Sequence, residues 1–162
     1  MPIHRLPRKL RLGITQAAEI KMSHKKSIII SIKPRWAEKI LGGDKTVELR
    51  KSFTPQHSDI ETALIYASSP KSAIIGKVKI EKVKHDNITN LWNETMELSF
   101  VSKNDFSEYF SNKKSGNAIF MSSPQRTQPL KLDYLRDKYN FTPPVSWRWI
   151  KEKETPLLEE AE

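Results

Sequence analysis

Between Ser27 and Arg50 a β-branched run, a proline, an amphipathic stretch, two glycines and a charged strand follow one another, and that order leaves the chain little freedom. Ser27-Ile28-Ile29-Ile30-Ser31-Ile32 predicts a buried strand. Pro34 suits the first turn of a helix, where its missing N–H costs nothing. Trp36, Ala37, Ile40 and Leu41 recur at helical spacing up to Leu41. Gly42-Gly43 then supplies a left-handed stop. The next residues, Asp44-Lys45-Thr46-Val47-Glu48-Leu49-Arg50, read as a strand. Strand alternation puts Thr46, Glu48 and Arg50 on one face and Lys45, Val47 and Leu49 on the other. An ion pair where a strand leaves a turn suits a site better than a core.

The rest of the chain continues in short elements. Thr62 to Ala67 is a second apolar strand, and Ser68-Ser69-Pro70 turns the chain. Ala73 to Val83 alternates Val78, Ile80 and Val83 against Lys77, Lys79 and Lys82 with one phase slip, and Gly76 marks a bulge or a close backbone approach. Asn87 to Leu98 reads as a helix with Leu91, Trp92 and Met96. Asn104 or Asp105 caps another with Phe106, Tyr109 and Phe110. Asn117 to Ser122 is a strand, Pro129 to Tyr139 a short helix or turn, and Ser146 to Ile150 the closing strand. There, Trp147 and Trp149 share a core face while Arg148 points outward to a basic rim. Such elements do not make the regular strand–helix alternation of a doubly wound sheet. They predict an α+β fold: a small mixed β-barrel of five or six strands, with short helices covering its openings.

Charge is distributed unevenly. Residues 1–26 hold seven Lys/Arg and one acid, and residues 152–162 hold five Glu and one Lys. The middle keeps 20 basic against 13 acidic residues of a chain whose net charge is +9. Residues 1–25 are expected to be a flexible basic extension, either preceding a natural start at Met22 or acting as an arm for phosphate contacts. Residues 26–151 form the folded domain, and 152–162 an acidic, mobile tail. A basic domain points to an anionic partner, with nucleic acid first. With no cysteine, disulfides, thiolate metal sites and cysteine nucleophiles are excluded. No apolar run approaches ~20 residues, so no membrane partner is expected, and a cytoplasmic location fits. His4, His24, His57 and His85 have no metal-ligand spacing, and no glycine loop cradles a phosphate, so neither metal nor cofactor is expected.

The ordered residues Ser31-Ile32-Lys33-Pro34, Trp36-Ala37, Lys39-Ile40-Leu41 and Gly43-x-Lys45-x-x-Glu48-x-Arg50 resemble the ASCH domain, a member of the PUA-like superfamily. Ile65 to Pro70, Ile75 to Val78, Leu91-Trp92 and Pro143 to Trp147 agree in order, so the resemblance covers about residues 26–150. It implies a small barrel with a cleft beside the first helix and a function with RNA or other nucleic acid, in some members regulatory. One branch of the family resembles amidohydrolases of 4-acetylcytidine that use a Lys, a Thr and a Glu. Another is associated with ribonuclease activity. Lys45 matches the branch's lysine, but Glu48 stands where that branch has its threonine, and Thr46 lies one residue after the lysine.

The motif residues support two chemistries. For binding, Arg50 offers a planar donor fork to a phosphate or base edge, Glu48 orients it or accepts from a base amine, and Lys45 adds a point charge. Trp36 or Tyr66 stacks an unpaired base of RNA or of a modified nucleoside. For catalysis, a buried Lys45 acts as base or oxyanion stabiliser with Glu48 as proton shuttle. The plain alternative is an ion pair that pins the turn, where exposed pairs contribute only ~0–1 kcal/mol. Ser31 and Lys33 end the first strand beside the motif, and Ser68 and Ser69 end a strand expected to face the same cleft. Helix entry and turn capping explain these four equally simply.

Overall fold

The computed structural model describes residues 26–53 and 60–161. The predicted basic extension lies outside these residues. The described elements are β1 (Ser27–Ile32), α1 (Pro34–Leu41), β2 (Val47–Arg50), β3 (Thr62–Ala67), β4 (Ala73–Asn87), α2 (Ile88–Thr95), α3 (Lys103–Tyr109), β5 (Ser115–Lys131), α4 (Leu132–Tyr139), β6 (Trp147–Trp149), a 3-10 turn (Glu152–Glu154) and α5 (Leu157–Glu160).

The six strands form one mixed sheet in the order β2-β5-β4-β3-β1-β6. β1 and β3 run parallel and the other neighbours antiparallel. No ladder joins the edge strands β2 and β6. Side chains close the gap instead: Arg50 at the end of β2 donates to Ser146 Oγ at 3.2 Å and to the Ser31 carbonyl at 2.8 Å. Just beyond β2, the Phe53 ring lies 5.2 Å from that of Trp147.

The apolar runs 28–30 of β1 and 63–67 of β3 are buried because both faces are covered. Ile28, Ile30, Ile65 and Ala67 share one core cluster with Ala37, Ile40 and Leu41 of α1. Ile29, Leu64 and Tyr66 face the other way, toward Leu135, Tyr139, Phe141 and Leu157. Val47, Leu49 and Ala118 meet Leu91, Phe106 and Phe110 in a third cluster. Trp147 and Trp149 pack against the first, as their alternation predicts.

Four local expectations change. β4 runs past Val83 to Asn87, paired with the start of β5, and β5 runs past Ser122 to Lys131, paired with the start of β4, in both cases where apolar periodicity fades. Cross-strand pairs continue there, such as His85 Nδ1 with Asn117 Oδ1 at 3.1 Å. α3 is capped by Ser102, whose hydroxyl accepts from the Asp105 N–H at 3.1 Å. The acidic tail is docked rather than mobile: Leu157 and Ala161 are fully buried in the second cluster. Their four-residue spacing supplies an apolar helical stripe that the charge of the segment hides. Arg148, finally, joins no basic rim. It makes two 2.7 Å bonds to the buried Glu154 carboxylate.

Candidate nucleotide-binding cleft

The motif turn wraps the C-terminal end of α1. The Gly42 and Gly43 amides donate to the carbonyls of Glu38 and Ile40, and the Lys45 amide to that of Lys39 at 3.0 Å. Gly43 has φ +86°, the left-handed geometry glycine tolerates. The ladder begins only at Val47, so strand alternation does not govern Lys45. Its side chain therefore swings to the side of Glu48, contrary to the expected parity. The ammonium lies 3.4 Å from Glu48 Oε2, donates to the Ser99 carbonyl at 2.6 Å and sits 5.2 Å from the Trp36 ring centre.

Lys45 is 2% exposed. Loss of solvation lowers its pKa from the ordinary 10.5, against the opposing pull of the Glu48 carboxylate. The other Glu48 oxygen accepts from Arg50 Nε at 3.1 Å. Arg50 thus spends its fork on Glu48, Ser31 and Ser146. It positions the carboxylate and ties the sheet edges, and little of it is left for a ligand.

These groups line an open cleft of about 600 Å³ beside α1. Of the residues singled out from sequence, it brings together Ser31, Lys33, Trp36, Lys45, Glu48, Arg50 and Ser68. The Ser31 hydroxyl is already committed to the Pro144 carbonyl at 2.6 Å. Ser69, in the turn after β3, is not in the cleft lining. Nor is Tyr66: parity on β3 turns it to the opposite face, where it is 4% exposed with its ring 5.9 Å from that of Phe141. It cannot stack a base in this cleft.

The far wall escaped the sequence reading. α3 contributes Asp105, Glu108 and Tyr109, and the start of α1 contributes Arg35. Asp105, Glu108 and Tyr109 are spaced i, i+3, i+4, one helix face. Beside them, Phe106 is buried and also reaches the cleft lining, and Phe110 at the end of the helix is buried. That spacing was a usable signal. Among the described residues, no group of acids and histidines could hold a metal, and no helix is long and apolar enough to cross a membrane.

A curled mixed sheet with a charged cleft beside its first helix defines a small α+β domain. The ASCH domain family model matches residues 30–125, from β1 through most of β5, and the chain belongs to this family. It is similar to an ASCH domain-containing ribonuclease of Zymomonas mobilis, with 30% identity over 135 residues that cover 83% of this chain and 90% of that protein. The crystal structure of ASCH from Zymomonas mobilis superposes with a TM-score of 0.78 at 28% identity, covering 85% of this chain and 96% of that one.

Proposed function

We propose that this ASCH domain binds single-stranded RNA across the cleft, seats one nucleotide over Lys45 and Glu48, and cleaves the strand there. The observation that carries this reading is the Lys45–Glu48 pair, 3.4 Å apart and buried at an open cleft. The cleft volume of about 600 Å³ falls within the ~300–1,000 Å³ usual for small-ligand sites. Lys33 and Arg35 are exposed at its lining and suit the phosphate backbone. The ribonuclease name of the Zymomonas relative supports the choice of substrate.

The chemistry needs no co-reactant. Glu48 accepts the ribose 2′-hydroxyl proton as that oxygen attacks phosphorus. The bond from phosphorus to O5′ breaks, and the leaving oxygen takes a proton from Lys45, which a lowered pKa makes a readier donor. The products are a 2′,3′-cyclic phosphate and a 5′-hydroxyl. Hydrolysis of an acetylated base finds less support, because Thr46 does not line the cleft and so offers no nucleophile.

Labelled single-stranded RNA with the full chain tests the reading. Binding is expected to weaken steeply between about 50 and 200 mM salt, with products that end in cyclic phosphate. Lys45→Met should lower cleavage by about a hundredfold or more, the scale of general acid–base contributions, while circular dichroism shows an intact fold. Lack of binding at the lower salt sinks the whole proposal. Binding without turnover by the wild type sinks the cleavage step.

A further inference from the structure

The two walls of the cleft differ in chemistry. The entry to α1 presents the exposed Lys33 and Arg35, with Lys45 and Arg50 already paired to Glu48, whereas α3 presents Tyr109 with two carboxylates. Tyr109 is 39% exposed yet held in place. Its hydroxyl accepts from the Lys51 N–H at 3.1 Å, the Phe110 ring meets it edge-on at 4.8 Å, and Lys51 Nζ lies 4.9 Å from its centre. A fixed, half-exposed aromatic ring backed by a cation is a stacking platform for an unpaired base. Asp105 and Glu108 are exposed, line the same cleft, and have no side-chain hydrogen-bond or ion-pair partner among the described residues.

From this placement we infer that α3 is the base-reading wall of the cleft: Tyr109 stacks the seated base, and Asp105 and Glu108 select bases that present amino or imino donors. The inference rests on the RNA reading above and goes beyond it to specificity. An ionised carboxylate only accepts hydrogen bonds. Guanine offers N1–H and the N2 amino group side by side, and adenine and cytosine offer one amino group each. Uracil places carbonyl oxygens beside its single N3–H, so a carboxylate there meets repulsion. The order of preference is therefore guanine first and uracil last. The opposite, cationic wall takes the phosphates, which carry no sequence information.

Fluorescence anisotropy of the full chain tests this with short labelled oligouridine strands carrying one central nucleotide X, its ribose deoxy at the 2′ position so that cleavage there is blocked. The guanine strand should bind about tenfold tighter than the all-uridine strand, the scale of one good bidentate contact. Asp105→Asn with Glu108→Gln should bring that ratio close to one. Tyr109→Leu should weaken all four strands by about tenfold, as loss of one stacked base does. Both changes are at exposed positions, so thermal melting should remain near wild type. Equal affinity for the four strands overturns the inference alone, as does a preference that survives the double substitution. No binding to any strand at low salt overturns the RNA reading and this inference together.

Discussion

Lys45 carries its charge almost without water, and that has a measurable sign. Burial depresses its native pKa below the ordinary 10.5. The unfolded chain therefore binds more protons than the folded one between these two values, and stability rises with pH across that window. Below the native pKa both states are charged and the desolvation penalty is fully present. Wild-type stability measured against Lys45→Met should thus improve as pH rises toward 10.5. Paired urea titrations at neutral and alkaline pH check it, and a difference that stays flat would mean that the ammonium is not displaced. The sequence marked Lys45, Glu48 and Arg50 as a unit but placed Lys45 on the wrong face. Alternation is a property of residues in the ladder, and Lys45 precedes it. Arg50 shows a second limit: a guanidinium looks available in sequence until its acceptors at Ser31 and Ser146 are known.

Within single elements, parity and spacing decided most of what was legible. β1, α1 and β3 follow from their apolar runs, and the register of β3 alone sends Tyr66 away from the cleft while Ile65 and Ala67 join α1. The two strands that lengthen, β4 and β5, do so where backbone pairing rather than apolar patterning holds them. Gly76 was legible as a bulge or a close approach and is both: register shifts between Ile74 and Gly76, and a Cβ there would lie 2.4 Å from the Gln125 carbonyl and 2.8 Å from Leu41. Gly76→Ala should therefore cost at least about 1–3 kcal/mol, because the carbonyl belongs to the neighbouring strand and α1 would have to lift. Chemical denaturation reads the loss, and a neutral substitution would refute the close approach.

Across the molecule, the C-terminal segment is where the charge pattern misled most. Glu154 is fully buried against Arg148. Burial pushes its carboxyl up, but bonds from Arg148 and from the Lys151 N–H outweigh that and leave its pKa below the ordinary 4.5. A depressed carboxyl contributes stability that is present above 4.5 and is lost as pH falls through the native value. Glu154→Gln should destabilise the domain by about 3 kcal/mol near neutral pH, since it leaves a largely buried guanidinium half-paired. That difference from wild type should shrink in acid below 4.5. Thermal melts of the two proteins at both pH values check the sign, and a gap that widens in acid would contradict it.

Membership of the ASCH family, the order of elements and the identity of the motif were all written in local sequence, because periodicity, capping and turn chemistry act over a few residues. Which side chains share the cleft was not. Lys45 with Ser99, Arg50 with Ser146, and a cleft lined by both α1 and α3 exist only once the strand order β2-β5-β4-β3-β1-β6 has curled the sheet and brought its edges together. The same holds for the tail, whose glutamates read as solvated until Arg148 and the second core cluster come within reach. Proximity across such separations in the chain is set by how the layers pack, and no short stretch of sequence carries that information.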